Sequence, residues 1–262
     1  MGDPVRVTLL GTGTSTGIPV IGCDCRVCQS RDPRDVRTRC SALVEANGVS
    51  ILIDAGPDFR SQALREGLTH IDAVLITHHH FDHVVGLDDL RPFFFQNRAP
   101  IPCFAPPETE EILRRKFDYI FEDRSYPGVP NLSLVRLGES PFTVESRGSD
   151  SGVTVTPIPA RHGSTPVYGY RVGDFAYLTD TNHIPPASMD LLDGVQVLVL
   201  DALRRAPHAT HFSLDEAVAV SREVGARETW FVHMTHSVLH AEEDAELPAG
   251  VKLAYDGLKL GI

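Results

Sequence analysis

Two β-sheets packed face to face, with helices on their outer faces, in a single domain over residues 1–262, is the architecture that the sequence predicts. Three observations lead there. Apolar runs of strand length recur in both halves of the chain with turn residues between them. Helical patterns fall between some of those runs. The length, 262 residues, is enough for one large domain and hardly enough for two. The result is an α+β chain in which each strand-rich half carries helices.

In the first half, residues 5–10, 42–46, 49–53 and 73–76 read as strands, and 58–66, 86–96 and 108–121 as helices. In the second half, 132–137, 153–158, 168–172, 175–178, 197–200, 229–232 and 251–255 read as strands, with helices at 186–192 and 213–224. The last helix opens on Ser213 with Glu216 three residues later, the spacing of a capping box. Residues 138–152, with Pro141, Gly148 and Gly152, read as a mobile connection between the halves. No fixed-period repeat is visible. The loop Gly11-Thr12-Gly13-Thr14-Ser15-Thr16-Gly17 follows the first strand, but Thr16 stands where a dinucleotide fingerprint needs its third glycine. It reads as a tight turn that lets backbone pack closely, with a pocket wall of N–H groups and hydroxyls as the functional alternative.

Composition narrows the function classes. The chain carries 24 basic and 35 acidic residues, a net charge of −11. That disfavours a broad basic face for nucleic acid, because neutralising phosphates takes clustered Lys and Arg. No apolar run approaches the ~20 residues that span a bilayer, and no signal peptide is visible at Met1-Gly2-Asp3-Pro4. The expected compartment is the cytoplasm.

Cysteine and histidine point to metal. Three of the five cysteines crowd into Cys23-Asp24-Cys25-Arg26-Val27-Cys28, and there are twelve histidines. In a reducing compartment such a cluster reads as a metal site rather than a disulfide framework. A buried strand ends at Thr77, and His78-His79-His80-Phe81-Asp82-His83 follows at once. His78 and His80, two apart, project to one side of an extended chain; Asp82 and His83 come where it turns into a helix. Two metals ~3.5–4 Å apart need such a mixture of nitrogens and carboxylates. Further candidates end other apolar strands: His162, Asp180 and His233. Cys23, Cys25 and Cys28 supply three thiolates, one ligand short of a closed tetrahedral zinc site. His236, three residues past His233, can be the fourth, so that one segment serves both sites.

The element His78-x-His80-x-Asp82-His83, with His162, Asp180 and His233 downstream, resembles the metallo-β-lactamase-fold hydrolase superfamily over nearly the whole chain. The resemblance implies an αββα sandwich of two mixed β-sheets with helices on the outer faces. It also implies two divalent ions, zinc or manganese: one held by His78, His80 and His162, the other by Asp82, His83 and His233, with Asp180 bridging. Asp54 matches the acid that supports this site from behind its ligands. β-Lactamases of the commonest class lack the last histidine of the motif, which argues against antibiotic hydrolysis.

The CxCxxC cluster with His233-x-x-His236 is similar to the phosphoribosyl 1,2-cyclic phosphate phosphodiesterases of the carbon–phosphorus lyase pathway, which implies one structural zinc beside the dinuclear centre. A protein of pyrroloquinoline quinone biosynthesis has a similar cluster, but its HxHxDH element is typically degraded, whereas here it is intact. His211 matches the histidine that phosphodiesterases of the superfamily place near the scissile phosphate, with His208 as a nearby competitor. Cys40 and Cys103 read as packing residues, and Arg91 as a solvated helix residue or a phosphate anchor.

The expected reaction is hydrolysis of a small phosphodiester, cyclic ribose phosphates included, by a hydroxide bridging the two ions. Two divalent ions, Asp82, Asp180 and the hydroxide sum to about +1, a cationic pocket in an acidic protein. His211 and Asp82 are the catalytic residues expected beside the ions, His211 protonating the leaving alkoxide. A thioester hydrolase of the glyoxalase II type uses the same seven ligands and is the rival. A tRNA 3′-processing nuclease is a further one, but it normally brings a protruding basic arm, and no such insertion is visible. A homodimer is the family expectation.

Overall fold

The computed structural model of the protein describes residues 4–97, 100–121, 128–147 and 149–262. The reading of residues 1–3 as a start without a signal peptide, and of Gly148 in the mobile connection, lies outside the described residues. The strands are β1 (Arg6–Gly11), β2 (Ser41–Ala46), β3 (Val49–Ile53), β4 (Ala73–Leu75), β5 (Ile101–Ala105), β6 (Leu132–Arg136), β7 (Phe142–Glu145), β8 (Gly152–His162), β9 (Thr165–Val172), β10 (Phe175–Leu178), β11 (Val197–Asp201), β12 (Glu228–Val232), β13 (Val251–Leu253) and β14 (Leu258–Gly261). The helices are α1 (Phe59–Glu66), α2 (Phe81–Val84), α3 (Arg91–Asn97), α4 (Pro107–Lys116), α5 (Asp118–Phe121), α6 (Pro186–Asp190), α7 (Leu214–Val224) and α8 (His240–Glu246).

One sheet has the order β14-β1-β2-β3-β4-β5-β6 and the other β13-β12-β11-β10-β9-β8-β7. Both are mixed. Strands from β14 to β3 pair antiparallel and from β3 to β6 parallel. The second sheet repeats this, antiparallel from β7 to β10 and parallel from β10 to β13. Alternation along the strands sorts the side chains between faces. Val7, Val44 and Ile51 meet Val155, Tyr170 and Val199 between the sheets. The opposite faces bury Leu43, Leu52 and Val74 against Phe59, Phe93 and Leu113 on one side, and Leu198, Leu200 and Phe231 against Leu214 and Ala217 on the other. The architecture is therefore helix, sheet, sheet, helix. Among the described residues, no helix is long and apolar enough to cross a membrane.

Several local readings differ from the structure. The helix expected at 86–96 is instead α2, a 3-10 turn over Val85–Leu90, and α3. Gly86 causes the break: its N–H donates to the Ala55 carbonyl, and a Cβ there would overlap the Gly56 carbonyl. The connection at 138–152 contains β7 and the first residue of β8, paired along Phe142–Val155 to Glu145–Gly152. At four residues β7 is too short to carry a clear alternation signal. Strand β5 carries Pro102, which demotes it on sequence grounds, and β14 and α8 are short.

Two bonds join the sheets where the site forms. The Tyr168 N–H donates to the Thr77 carbonyl at 3.0 Å, and the Tyr170 hydroxyl donates to the Ile76 carbonyl at 2.6 Å. The parallel halves then deliver strand C-termini to one edge of the sandwich, the usual place for a site in such sheets.

Candidate metal centres

The loop after β4 is held from behind by Asp54. Its carboxylate accepts from the Thr77 N–H at 2.8 Å and the Thr77 hydroxyl at 2.7 Å, and it lies 2.7 Å from His83 Nδ1. Burial pushes Asp54 above the usual carboxylate range, against the pull of His83. With Nδ1 committed to Asp54, His83 turns Nε2 toward Asp180 Oδ2, at 3.1 Å, and Asp82 Oδ2, at 3.4 Å. Gly56 and Gly86 allow the loop to lie this close, since a Cβ on Gly56 would overlap the Asp82 carbonyl.

Strand ends complete the ring. His78 Nε2 lies 3.9 Å from Asp180 Oδ1, and His233 Nε2 lies 3.1 Å from the same oxygen. His162, the last residue of β8, donates from Nδ1 to the Thr210 carbonyl at 2.8 Å. The His78, His80 and His162 rings have centroids 4.4–5.7 Å apart. Two groups result, each with ligand atoms within 4.8 Å of one another: His78, His80 and His162; and Asp82, His83, Asp180 and His233.

The arrangement fits divalent ions. The Nε2 atoms of His78, His83 and His233 are buried without a hydrogen-bond partner, although two of them lie 3.1 Å from a carboxylate. An orphaned buried polar atom costs about 1–3 kcal/mol, and nitrogens left so in both groups suit cation ligands. Burial pushes His78 and His80 down, which keeps them neutral and able to ligate. Burial pulls His83 and His233 the same way, but Asp180 and its neighbours outweigh it. His83 ends well above its ordinary value and His233 is pushed up to about 10.

Asp201, at the end of β11, was missed in the sequence and is fully buried. Its Oδ2 lies 3.0 Å from His211 Nδ1 and accepts from the Thr181 N–H at 3.1 Å, while Oδ1 lies 3.6 Å from His233 Nδ1. The two imidazoles stack across it, 4.6 Å apart and 14° from parallel. The signal was present: Asp201 follows an apolar strand just as Asp180 and His233 do. His211 is buried, and one of its nitrogens lies within 4.8 Å of ligand atoms of His162 and Asp180. His208 is exposed, with its ring 5.2 Å from that of His211. Arg91 instead binds Asp88 at 2.6 Å.

The second cluster lies on the same ribbon as His233, the segment 233–238 that follows β12. His236 Nδ1 is 3.2 Å from Cys23 Sγ, 3.5 Å from Cys25 Sγ and 3.8 Å from Cys28 Sγ. A bond from the Cys28 N–H, with the other thiols, lowers Cys25 to about 6, whereas burial raises Cys28 to about 11. No disulfide is formed by these cysteines, and three sulfurs with one nitrogen suit tetrahedral zinc. Cys40 and Cys103 are buried in the cores, away from this cluster.

The N-terminal segment wraps the ribbon. Thr14 N–H donates to the Met234 carbonyl and Met234 N–H to the Thr12 carbonyl, each at 3.1 Å. Gly11 and Gly13 lie against the Arg39 and Arg37 carbonyls with no room for a Cβ, so close backbone packing accounts for both glycines. The buried Arg37 guanidinium pairs with Asp35 at 3.0 Å and donates to the Thr235 and Val238 carbonyls at 3.2 and 2.8 Å.

Comparison with known proteins agrees with this fold. A beta-lactamase superfamily domain is matched over residues 50–234. An octanoyltransferase of Porphyromonas gingivalis is 39% identical over 259 residues, covering 97% of this chain and 51% of that protein, so the chain spans about half of its length. A coenzyme PQQ synthesis protein B of Methylobacterium radiotolerans is 30% identical over 313 residues, with 98% and 100% covered. Among solved structures, a diphosphatase from the PhnP family superposes with a TM-score of 0.91 at 44% identity, covering 100% of this chain and 98% of that one.

Proposed function

We propose that this chain, which belongs to the metallo-β-lactamase superfamily, is a metal-dependent phosphodiesterase for a small phosphodiester, cyclic ribose phosphates included. The observation that carries the reading is His211. It is buried beside both ligand groups with Nδ1 committed to Asp201, which leaves Nε2 as the nitrogen free to serve a substrate. The likeness to a PhnP-family diphosphatase supports the same chemistry.

In this reading His78, His80 and His162 would hold one ion and Asp82, His83 and His233 the other, with Asp180 as the ligand they would share. When bound, the ions supply a nucleophile from water at neutral pH and stabilise charge on phosphoryl oxygens. The protein's own groups do the rest. Asp54 and the Thr210 carbonyl fix the orientation of His83 and His162, as partners behind metal ligands do. Asp201 accepts the Nδ1–H of His211 and orients the ring; from its imidazolium form, His211 would give its Nε2 proton to the leaving oxygen. Cys23, Cys25, Cys28 and His236 hold a structural zinc that anchors the N-terminal loop.

The test is a metal count per chain together with turnover of cyclic phosphates, bis-aryl phosphodiesters, diphosphates and thioesters. Two ions at the histidine cluster, one at the cysteine cluster and turnover of phosphorus esters are expected. The second reading is thioester hydrolysis of the glyoxalase II type, which would use the same seven ligand residues. Thioester turnover without phosphodiester turnover would select it.

A further inference from the structure

We infer that Thr179 is a positioning residue for the shared aspartate: its hydroxyl takes Oδ2 of Asp180 and leaves Oδ1 as the oxygen that serves both ligand groups. The inference deepens the proposed reading and rests on it for Asp180 as a ligand that two ions share.

Asp180 sits in a turn whose main chain is already fixed. Strand β10 ends at Leu178, two residues before it, and Asp180 itself has a φ of 53°. On its other side Thr181 donates its N–H to Asp201 Oδ2 at 3.1 Å and its hydroxyl to the Arg161 carbonyl at 2.8 Å. What the main chain leaves open is rotation of the carboxylate about its last bond, a broad torsion. Thr179 closes it. Its hydroxyl lies 2.7 Å from Asp180 Oδ2 with both residues buried. An ionised carboxylate only accepts, so the hydroxyl donates. Threonine is branched at Cβ and stiff about χ1, so the donor is itself held.

The two oxygens consequently meet different neighbours. Oδ1 is 3.9 Å from His78 Nε2, in the first ligand group, and 3.1 Å from His233 Nε2, in the second. Oδ2 is 3.1 Å from His83 Nε2, also in the second group, and carries the Thr179 bond. Oδ1 thus approaches both groups. Turning the carboxylate would draw Oδ1 away from one of them, and the charge-assisted bond from Thr179 opposes that turn. Valine would fill the same volume, so packing alone does not call for a hydroxyl at this position.

The experiment strips the protein of metal and reloads it with zinc, following binding by equilibrium dialysis in the wild type, T179V, T179A and T179S. T179V and T179A should weaken zinc at the histidine cluster roughly 10–100-fold, the usual cost of losing a partner behind a ligand. Both should keep the zinc of the cysteine cluster, and both should shift the zinc–zinc vector in X-ray absorption spectra. T179S, which retains the hydroxyl, should bind within a few-fold of the wild type and leave that vector unmoved. Serine and alanine differ only by the hydroxyl, so this pair decides the matter should valine disturb the strand. Equal affinity and an equal vector in T179S and T179A, or wild-type behaviour of T179V, would overturn the role of the hydroxyl. A single zinc at the histidine cluster of the wild type would overturn the shared ligand and the inference with it. If the wild type turns over only thioesters, the phosphodiesterase reading falls, while the zinc titrations still decide the role of Thr179 by themselves.

Discussion

At the histidine cluster three rings are fixed from behind: His83 by Asp54, His162 by the Thr210 carbonyl, His211 by Asp201. At the cysteine cluster, three residues further along the same ribbon, the half-buried sulfurs of Cys23 and Cys25 meet chiefly one another and His236. Strand ends and buried carboxylates build the first; a short loop closing on one imidazole builds the second. On the proposed reading, the difference separates a site that the fold prepares for metal from one that metal would have to hold together. Chelation then has two distinct consequences in a single molecule.

The largest expected effect is on that contrast itself. Stripped of metal, the protein should keep slow amide exchange in β4, β10 and β12, while residues 19–28 become open to protease. Rapid exchange in all three strands would break the distinction. Next, His211→Ala should lower kcat by about 10²–10⁴-fold with metal content unchanged; parallel loss of ions would make His211 a structural residue. Asp54→Asn should weaken metal binding at the histidine cluster by roughly 10–100-fold and leave the cysteine-bound ion in place, as equilibrium dialysis of both variants would report. Cys23→Ser should remove about one ion per chain and spare the other two. The smallest effect belongs to the exposed Arg26–Glu242 pair beside the cysteine loop, 2.6 Å apart. Arg26→Ala should leave the melting temperature and proteolysis of the loop unchanged, because screened surface pairs contribute little. A measurable loosening would show that the ion pair, rather than zinc, secures that loop.

Much of this geometry was legible because it follows one rule: a polar residue ending an apolar strand sits at the edge where parallel strands deliver their C-termini. His78, Asp180 and His233 obey it, and their convergence could be expected. Asp201 obeys it equally but went unread, because no motif drew attention to a single aspartate after residues 197–200. What sequence patterns could not carry were features that depend on distant contact. The break at Gly86 depends on Gly56, which is thirty residues away in the chain. The clamp of Arg37 on the Thr235 and Val238 carbonyls depends on segments about two hundred residues apart. Strand β7 was hidden by its length and α8 by its acidic, aperiodic composition, since both owe their form to neighbours rather than to propensity.

Three of the four non-glycine residues with positive φ among the described residues are Asp54, at 58°, Asp180, at 53°, and His233, at 64°. This left-handed region suits asparagine and glycine far better than alanine or any β-branched residue. Mutagenesis there is consequently confounded: an alanine at position 180 would report lost backbone fit together with a lost oxygen. Asp180→Asn, which keeps both shape and dihedral preference, isolates the charge, and the gap between the two variants measures the main chain's own share in holding the site.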